Sequence, residues 1–194
     1  WERTEQEKGV YDFEWLDSIV DNLLERGLVP WINLAYGNGL YDDDAAKVFG
    51  AVGCPPVKSE EAKKGWADYI TALAAHMKGR ISYYEVWNEP DGEWCWKHGP
   101  NGKEYGQFVV DTSVALKKGD SSAKVIGGAI CMAKPLDFAY DAFSVGMGEH
   151  IDAISFHEYV IDETVVFRHV KALRGLCNRF NPNIEILSLI HISE

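Results

Sequence analysis

Strand-like and helix-like segments alternate five times along this chain with no linker between them, and that rhythm restricts the fold more than any other feature. Leu16, Ile19, Val20, Leu23 and Leu24 fall at helical spacing, and Gly27 stands where a terminating glycine belongs. Val29 to Ala35 is a short apolar run suited to a buried strand. Ser59 precedes Glu60 and Glu61 as a helix start, and Trp66, Ile70, Leu73 and Met77 trace the buried face that follows. Ile81 to Trp87, Val125 to Cys131, Ile151 to Tyr159 and the stretch from Ile184 read as further strands. Between them, helical signals run through Tyr105–Leu116, more weakly through Leu136–Gly148, and through Val165–Leu173. Parallel strands covered by helices follow from this pattern. Either a (β/α)8 barrel or an open doubly wound sheet satisfies it. No G-x-G-x-x-G follows a strand, and no phosphate-binding loop of the G-x-x-x-x-G-K-[ST] type occurs.

The charge balance narrows the partners. Nineteen Lys and Arg against 30 Asp and Glu give a formal charge of -11, which repels phosphate backbones and anionic lipid and argues against nucleic acid and membrane partners. No apolar run approaches the ~20 residues of a membrane helix. Cys54, Cys95, Cys131 and Cys177 form no C-x-x-C pair and lack zinc-ligand spacing with histidine. They read as buried free thiols, with a Cys54–Cys95 disulfide open if their loops are neighbours.

Glu85-Val86-Trp87-Asn88-Glu89-Pro90 carries the chemistry. Polar groups at the C-terminal end of a parallel strand sit where barrel active sites form. Glu89 has Trp87, Pro90, Trp94 and Trp96 near it in sequence, and an apolar setting is expected to raise its pKa toward that of a general acid. Asn88 offers donor and acceptor groups suited to a sugar hydroxyl. A capped loop with solvated Asn and Glu fits these residues about as well. Glu85 and Glu158 are also acids near strand ends and rank below Glu89.

Trp87-Asn88-Glu89-Pro90 resembles the Asn-Glu-Pro signature of clan A retaining glycoside hydrolases, which are (β/α)8 barrels. The resemblance implies that Glu89, at the end of barrel strand 4, is the acid/base and that Asn88 binds the substrate's 2-hydroxyl. Trp1-Glu2-Arg3-Thr4-Glu5 with Gly9-Val10-Tyr11-Asp12-Phe13 is similar to the segment after strand 2 in these enzymes, most of all in family thirty-nine, with its β-xylosidases and α-L-iduronidases. Ala35-Tyr36-Gly37-Asn38 and Leu40-Tyr41-Asp42-Asp43 resemble their strand 3 loop. His157-Glu158-Tyr159 is similar to the His-x-Tyr that ends strand 6. His157 and Tyr159, two apart on a strand, share a face. In the family that Tyr holds the nucleophile carboxylate ionised. Trp94 and Trp96, in the loop after Glu89, are expected as platforms for sugar faces, or else as loop anchors.

On this mapping, residues 1–186 form a partial barrel from the end of strand 2 to strand 7, short of the roughly 250 residues of a full one. Retention needs a second carboxyl about 5–5.5 Å from the first. The family pattern places it at the end of strand 7, near Ser188 to Ile190, where no acid stands. Residues 187–194 instead resemble a translated sequencing adapter and are set aside from the fold. Glu194 is late for a nucleophile and Glu185 is early. The expected parent function is retaining hydrolysis of O-glycosidic bonds in oligo- or polysaccharides, with no metal or organic cofactor. The 194-residue chain itself is expected to be inactive. A non-catalytic carbohydrate-binding barrel is the alternative. An extracellular or periplasmic location is favoured; the assembly state is not readable from sequence.

Overall fold

The computed structural model describes residues 1–47, 49–131, 136–159 and 162–189. Five strands form one parallel sheet: β1 (Ile32–Leu34), β2 (Tyr83–Val86), β3 (Lys124–Ile130), β4 (Ala153–Phe156) and β5 (Glu185–Ser188). Five helices alternate with them: α1 (Glu14–Glu25), α2 (Glu60–Met77), α3 (Gly102–Gly119), α4 (Asp137–Ser144) and α5 (Glu163–Phe180). The spatial order is β1-β2-β3-β4-β5, the same as the chain order. A doubly wound sheet reverses its order at a switch point. No reversal occurs here, so the strands form an arc of a (β/α)8 barrel, and the doubly wound alternative falls away. In the barrel numbering used above they are strands 3 to 7.

Local signals account for the element ends. The N–H of Gly27, at φ +72°, donates to Leu24 O, and that of Leu28 donates to Leu23 O. Together these two bonds make a Schellman stop on α1. Ser59 Oγ accepts from Ala62 N at 3.1 Å, Asn101 Oδ1 from Glu104 N at 3.1 Å and Asp162 Oδ1 from Thr164 N at 2.9 Å, so α2, α3 and α5 each start on a side-chain cap. β1 is shorter than the Val29–Ala35 run suggests. Val29 is 80% exposed and Trp31 42%, because this end of the run has no strand partner among the described residues. The Leu136–Gly148 helix divides into α4 and a 3-10 turn at Met147–Glu149, broken at Gly146 with φ +100°.

The core lies between sheet and helices. Trp66, Ile70, Leu73 and Met77 of α2 are buried against Tyr84, Val86 and Trp87 and against α3. Each fully buried aliphatic side chain of this kind contributes about 1.5–3 kcal/mol. Tyr105 of α3 ties helix to sheet. Its hydroxyl lies 2.9 Å from Val86 O and 3.1 Å from Gly128 O, and accepts from Gly128 N at 2.8 Å. Gly128 has φ +104°, and a Cβ there would lie 2.4 Å from Ser155 O, so no side chain fits. The β3–β4 register shifts between Gly127 and Ile130, which bends the C-terminal end of β3.

Leu187 and Ser188 continue β5, opposite Ser155 and Phe156. Residues 190–194, including Glu194, lie outside the described residues. No disulfide joins the four cysteines among the described residues. Cys54 and Cys95 are buried on neighbouring loops, joined by the Lys97 N to Gly53 O bond of 2.9 Å.

Replacing Tyr105 with Phe leaves Gly128 N without its acceptor in a fully buried site. In a protein of full barrel length carrying these residues, Tyr105→Phe is expected to cost about 1–3 kcal/mol in urea unfolding. An unchanged midpoint would show that the hydroxyl is not a tie between helix and sheet.

Candidate active site

Parallel register brings every strand's C-terminal end to one rim, and the polar residues singled out above gather there. β2 ends at Val86, and the chain then turns sharply. Trp87 has φ +68° and Glu89 φ +45°, left-handed values that side-chain-bearing residues avoid. Neighbouring strands hold these turns. Trp87 N donates to Leu34 O at 3.1 Å, and Glu89 N donates to Ala129 O at 2.9 Å. Trp87 Nε1 donates to Cys95 O at 2.8 Å, closing the loop that follows.

The Glu89 side chain is only 12% exposed, and its carboxyl meets three other side chains. His157 Nδ1 lies 3.0 Å from Oε1, so the imidazole carries its proton on that side. The Tyr159 hydroxyl donates to the same oxygen at 3.1 Å. Trp94 Nε1 donates to Oε2 at 2.6 Å. Trp94 reaches back because residue 92 is glycine: a Cβ there would lie 2.3 Å from the indole ring. Burial pushes the Glu89 pKa up, but hydrogen bonds from His157, Trp94 and Tyr159 and the charge of His157 pull it down, and the net result is below the ordinary carboxylate value. The expected rise is corrected here. The neighbours are aromatic, but they present N–H and O–H groups to the carboxylate, and donors to the charged form outweigh its desolvation.

The other expected residues divide. Asn88 is half-buried, with Nδ2 3.5 Å from Cys95 Sγ. Trp96 is not a platform. It is fully buried, donates from Nε1 to Glu104 Oε2 at 2.8 Å, and packs edge-on against Trp87, Tyr105 and Phe108. Trp94, 53% exposed, keeps a ring surface free. Tyr159 reaches Glu89, whereas the resemblance assigns its counterpart to the nucleophile. Glu158, two residues past β4, is buried and pairs with His169 of α5.

Residues 2–172 match the model of glycosyl hydrolases family 39. The chain belongs to that family. It is 32% identical over 162 residues to a β-xylosidase of Caldicellulosiruptor saccharolyticus, covering 78% of this chain and 32% of that protein. It is 29% identical over 163 residues to a β-xylosidase of Geobacillus stearothermophilus, covering 78% and 31%. The chain thus spans about a third of the length of these curated relatives. A solved family 39 β-xylosidase from Caulobacter crescentus superposes with a TM-score of 0.73 at 23% identity, covering 95% of this chain and 42% of that one. That likeness shows a shared barrel fold.

In this family 39 chain, four residues escaped sequence reasoning. Tyr36 follows β1 and stands edge-on to Trp87 at 5.5 Å. Asp91, 2% exposed, accepts from Cys131 N at 2.9 Å, and its burial raises its pKa. Asn33 and Ser155 bond Glu85 beneath the rim. Asp91 adjoins the Asn-Glu-Pro motif, the one signal available. The others stand on or just after β1 and on β4. No group of three metal-ligating side chains occurs among the described residues.

Trp94→Phe keeps the ring and removes the donor to Oε2. The Glu89 titration midpoint, followed by carboxyl NMR, is expected to move up. Because the folded pKa lies below the unfolded one, the Glu89 contacts stabilise the fold above the unfolded value and lose that effect as pH falls through the folded one. The stability difference between Trp94→Phe and wild type is therefore expected at neutral pH and should vanish in acid below both values. A midpoint that stays put would remove Trp94 from the set of donors.

Proposed function

We propose that the barrel-length protein carrying this segment hydrolyses O-glycosidic bonds with retention, with Glu89 as acid/base. The observation that carries this reading is the shielded carboxyl at the end of β2, met by His157 and Tyr159 from the end of β4. This carboxyl lies at the rim where barrel loops converge, which is where barrel active sites form.

Glu89 protonates the departing oxygen, then as carboxylate takes a proton from the water that attacks the glycosyl intermediate. With only its present neighbours Glu89 favours the ionised form. A second carboxylate at the retaining distance of about 5–5.5 Å adds like charge and raises the pKa of one member of the pair. The family pattern places that nucleophile at the end of β5, near Ser188 to Ile190, where this chain carries no acid. Asn88 lies beside Glu89, where it can bond a substrate hydroxyl, and the exposed Trp94 ring offers an apolar face to a sugar.

The curated relatives are β-xylosidases, and β-xylosides are the proposed substrate class. The formal charge of -11 supports a neutral sugar over a nucleic acid and suits an extracellular or periplasmic enzyme. No helix among the described residues is long and apolar enough to cross a membrane.

The test uses aryl β-xylosides and the barrel-length protein. Glu89→Ala is expected to lower kcat by about 10²–10⁴-fold on substrates with poor leaving groups, the range general acid–base catalysis supplies. On substrates with activated leaving groups, added azide should restore turnover, because azide needs no general base. Full activity in Glu89→Ala would overturn the assignment. Undiminished xylan binding together with absent wild-type turnover would favour a carbohydrate-binding barrel.

A further inference from the structure

Beneath the rim, Glu85 is 3% exposed and has no part in the chemistry above. Its partners come from two other strands. Asn33 of β1, opposite Glu85 in the register, donates from Nδ2 to Glu85 Oε2 at 2.9 Å. Ser155 of β4 donates to Glu85 Oε1 at 2.6 Å. β2 and β4 stand about 10 Å apart with β3 between them, so the bond crosses an intervening strand.

The network continues into the backbone that carries Glu89. Asn33 Nδ2 also donates to Trp87 O at 2.8 Å, two residues before Glu89. Ser155 Oγ, while donating to Glu85, accepts from Ala129 N at 2.8 Å. Ala129 O in turn accepts from Glu89 N at 2.9 Å. Trp87, Glu89 and Ala129 are the three residues of this region, glycine aside, with left-handed φ, at +68°, +45° and +47°. Such conformations cost about 1–3 kcal/mol each and persist only where the surroundings fix them. Both ends of the Glu85 network terminate on these residues.

We infer that Glu85 is a positioning residue: through Asn33 and Ser155 it sets the backbone turns at Trp87 and Ala129 and so the direction in which Glu89 delivers its proton. This rests on the reading of Glu89 as acid/base. The carboxylate is suited to the task because it accepts from both sides at once, leaving Asn33 its second bond to Trp87 O and Ser155 its acceptor site for Ala129. In Glu85→Gln the amide can accept on one side only. On the other it donates: toward Ser155 it turns the hydroxyl proton to Gly127 O, 3.3 Å away, and toward Asn33 it sets two N–H groups face to face.

The experiment compares two β-xylosides in the barrel-length protein: one with an alkyl leaving group, which needs the proton, and one with a dinitrophenyl leaving group, which does not. A misplacement near 1 Å costs on the order of 10²-fold in a positioned group. Read as kcat/KM, which reports the glycosyl-forming step alone, Glu85→Gln is expected to slow the alkyl xyloside by about 10- to 100-fold and the dinitrophenyl xyloside by less than about 3-fold. Ser155→Ala, which removes the bonds to Glu85 and Ala129 and leaves the Asn33 branch in place, should show the same imbalance. It decides the matter if circular dichroism shows Glu85→Gln unfolded. An equal fall on both substrates, or none, would overturn the inference while leaving Glu89 in its role. Wild-type turnover indifferent to Glu89→Ala would overturn both.

Discussion

A carboxylate withdrawn from water keeps its charge only where donors meet it, and the donors to Glu89 come from two places far apart in sequence. His157 and Tyr159 directly follow β4, and Trp94 sits in the loop that Glu89 itself begins. They converge because β2 and β4 run parallel, one strand apart, so their C-terminal ends share a rim. Every feature of the site depends on that convergence. The depressed pKa of Glu89 is its electrostatic signature.

The convergence needs support underneath. Strand ends that carry polar residues would splay without cross-strand bonds, and the described structure supplies them in layers. Tyr105 fastens Val86 and Gly128 from the helix side. Asn33, Glu85 and Ser155 fasten β1, β2 and β4 from the inner side. Gly128 is what allows β3 and β4 to close together here, since any side chain would strike the Ser155 backbone. Family membership and these bonds are consistent: the barrel architecture places the loops, and the polar layer fixes how their first residues turn.

Much of the fold was legible because its signals are local. A Gly after an apolar stripe stopped α1 through backbone bonds made within six residues, and Ser59 capped α2 through a bond three residues on. The five strands appeared as short apolar runs because both faces of a barrel strand are covered. The limits were also physical. β1 proved shorter than its apolar run, since a strand lasts only as far as its partner. Trp94 and Trp96 are two residues apart and looked alike, yet one is half exposed against Glu89 and the other fills the core beside Phe108.

The sequence alone determined the alternation, the helix caps and the presence of an Asn-Glu-Pro motif at a strand end, because spacing and short-range bonding decide each of these. Tertiary structure decided the sign of the Glu89 pKa shift, the separate fates of the two tryptophans, and the bond from Glu85 to Ser155. Each is a balance between burial and partners contributed by other strands. Composition near a residue in sequence does not report which polar atoms face it in space, and electrostatics acts through space.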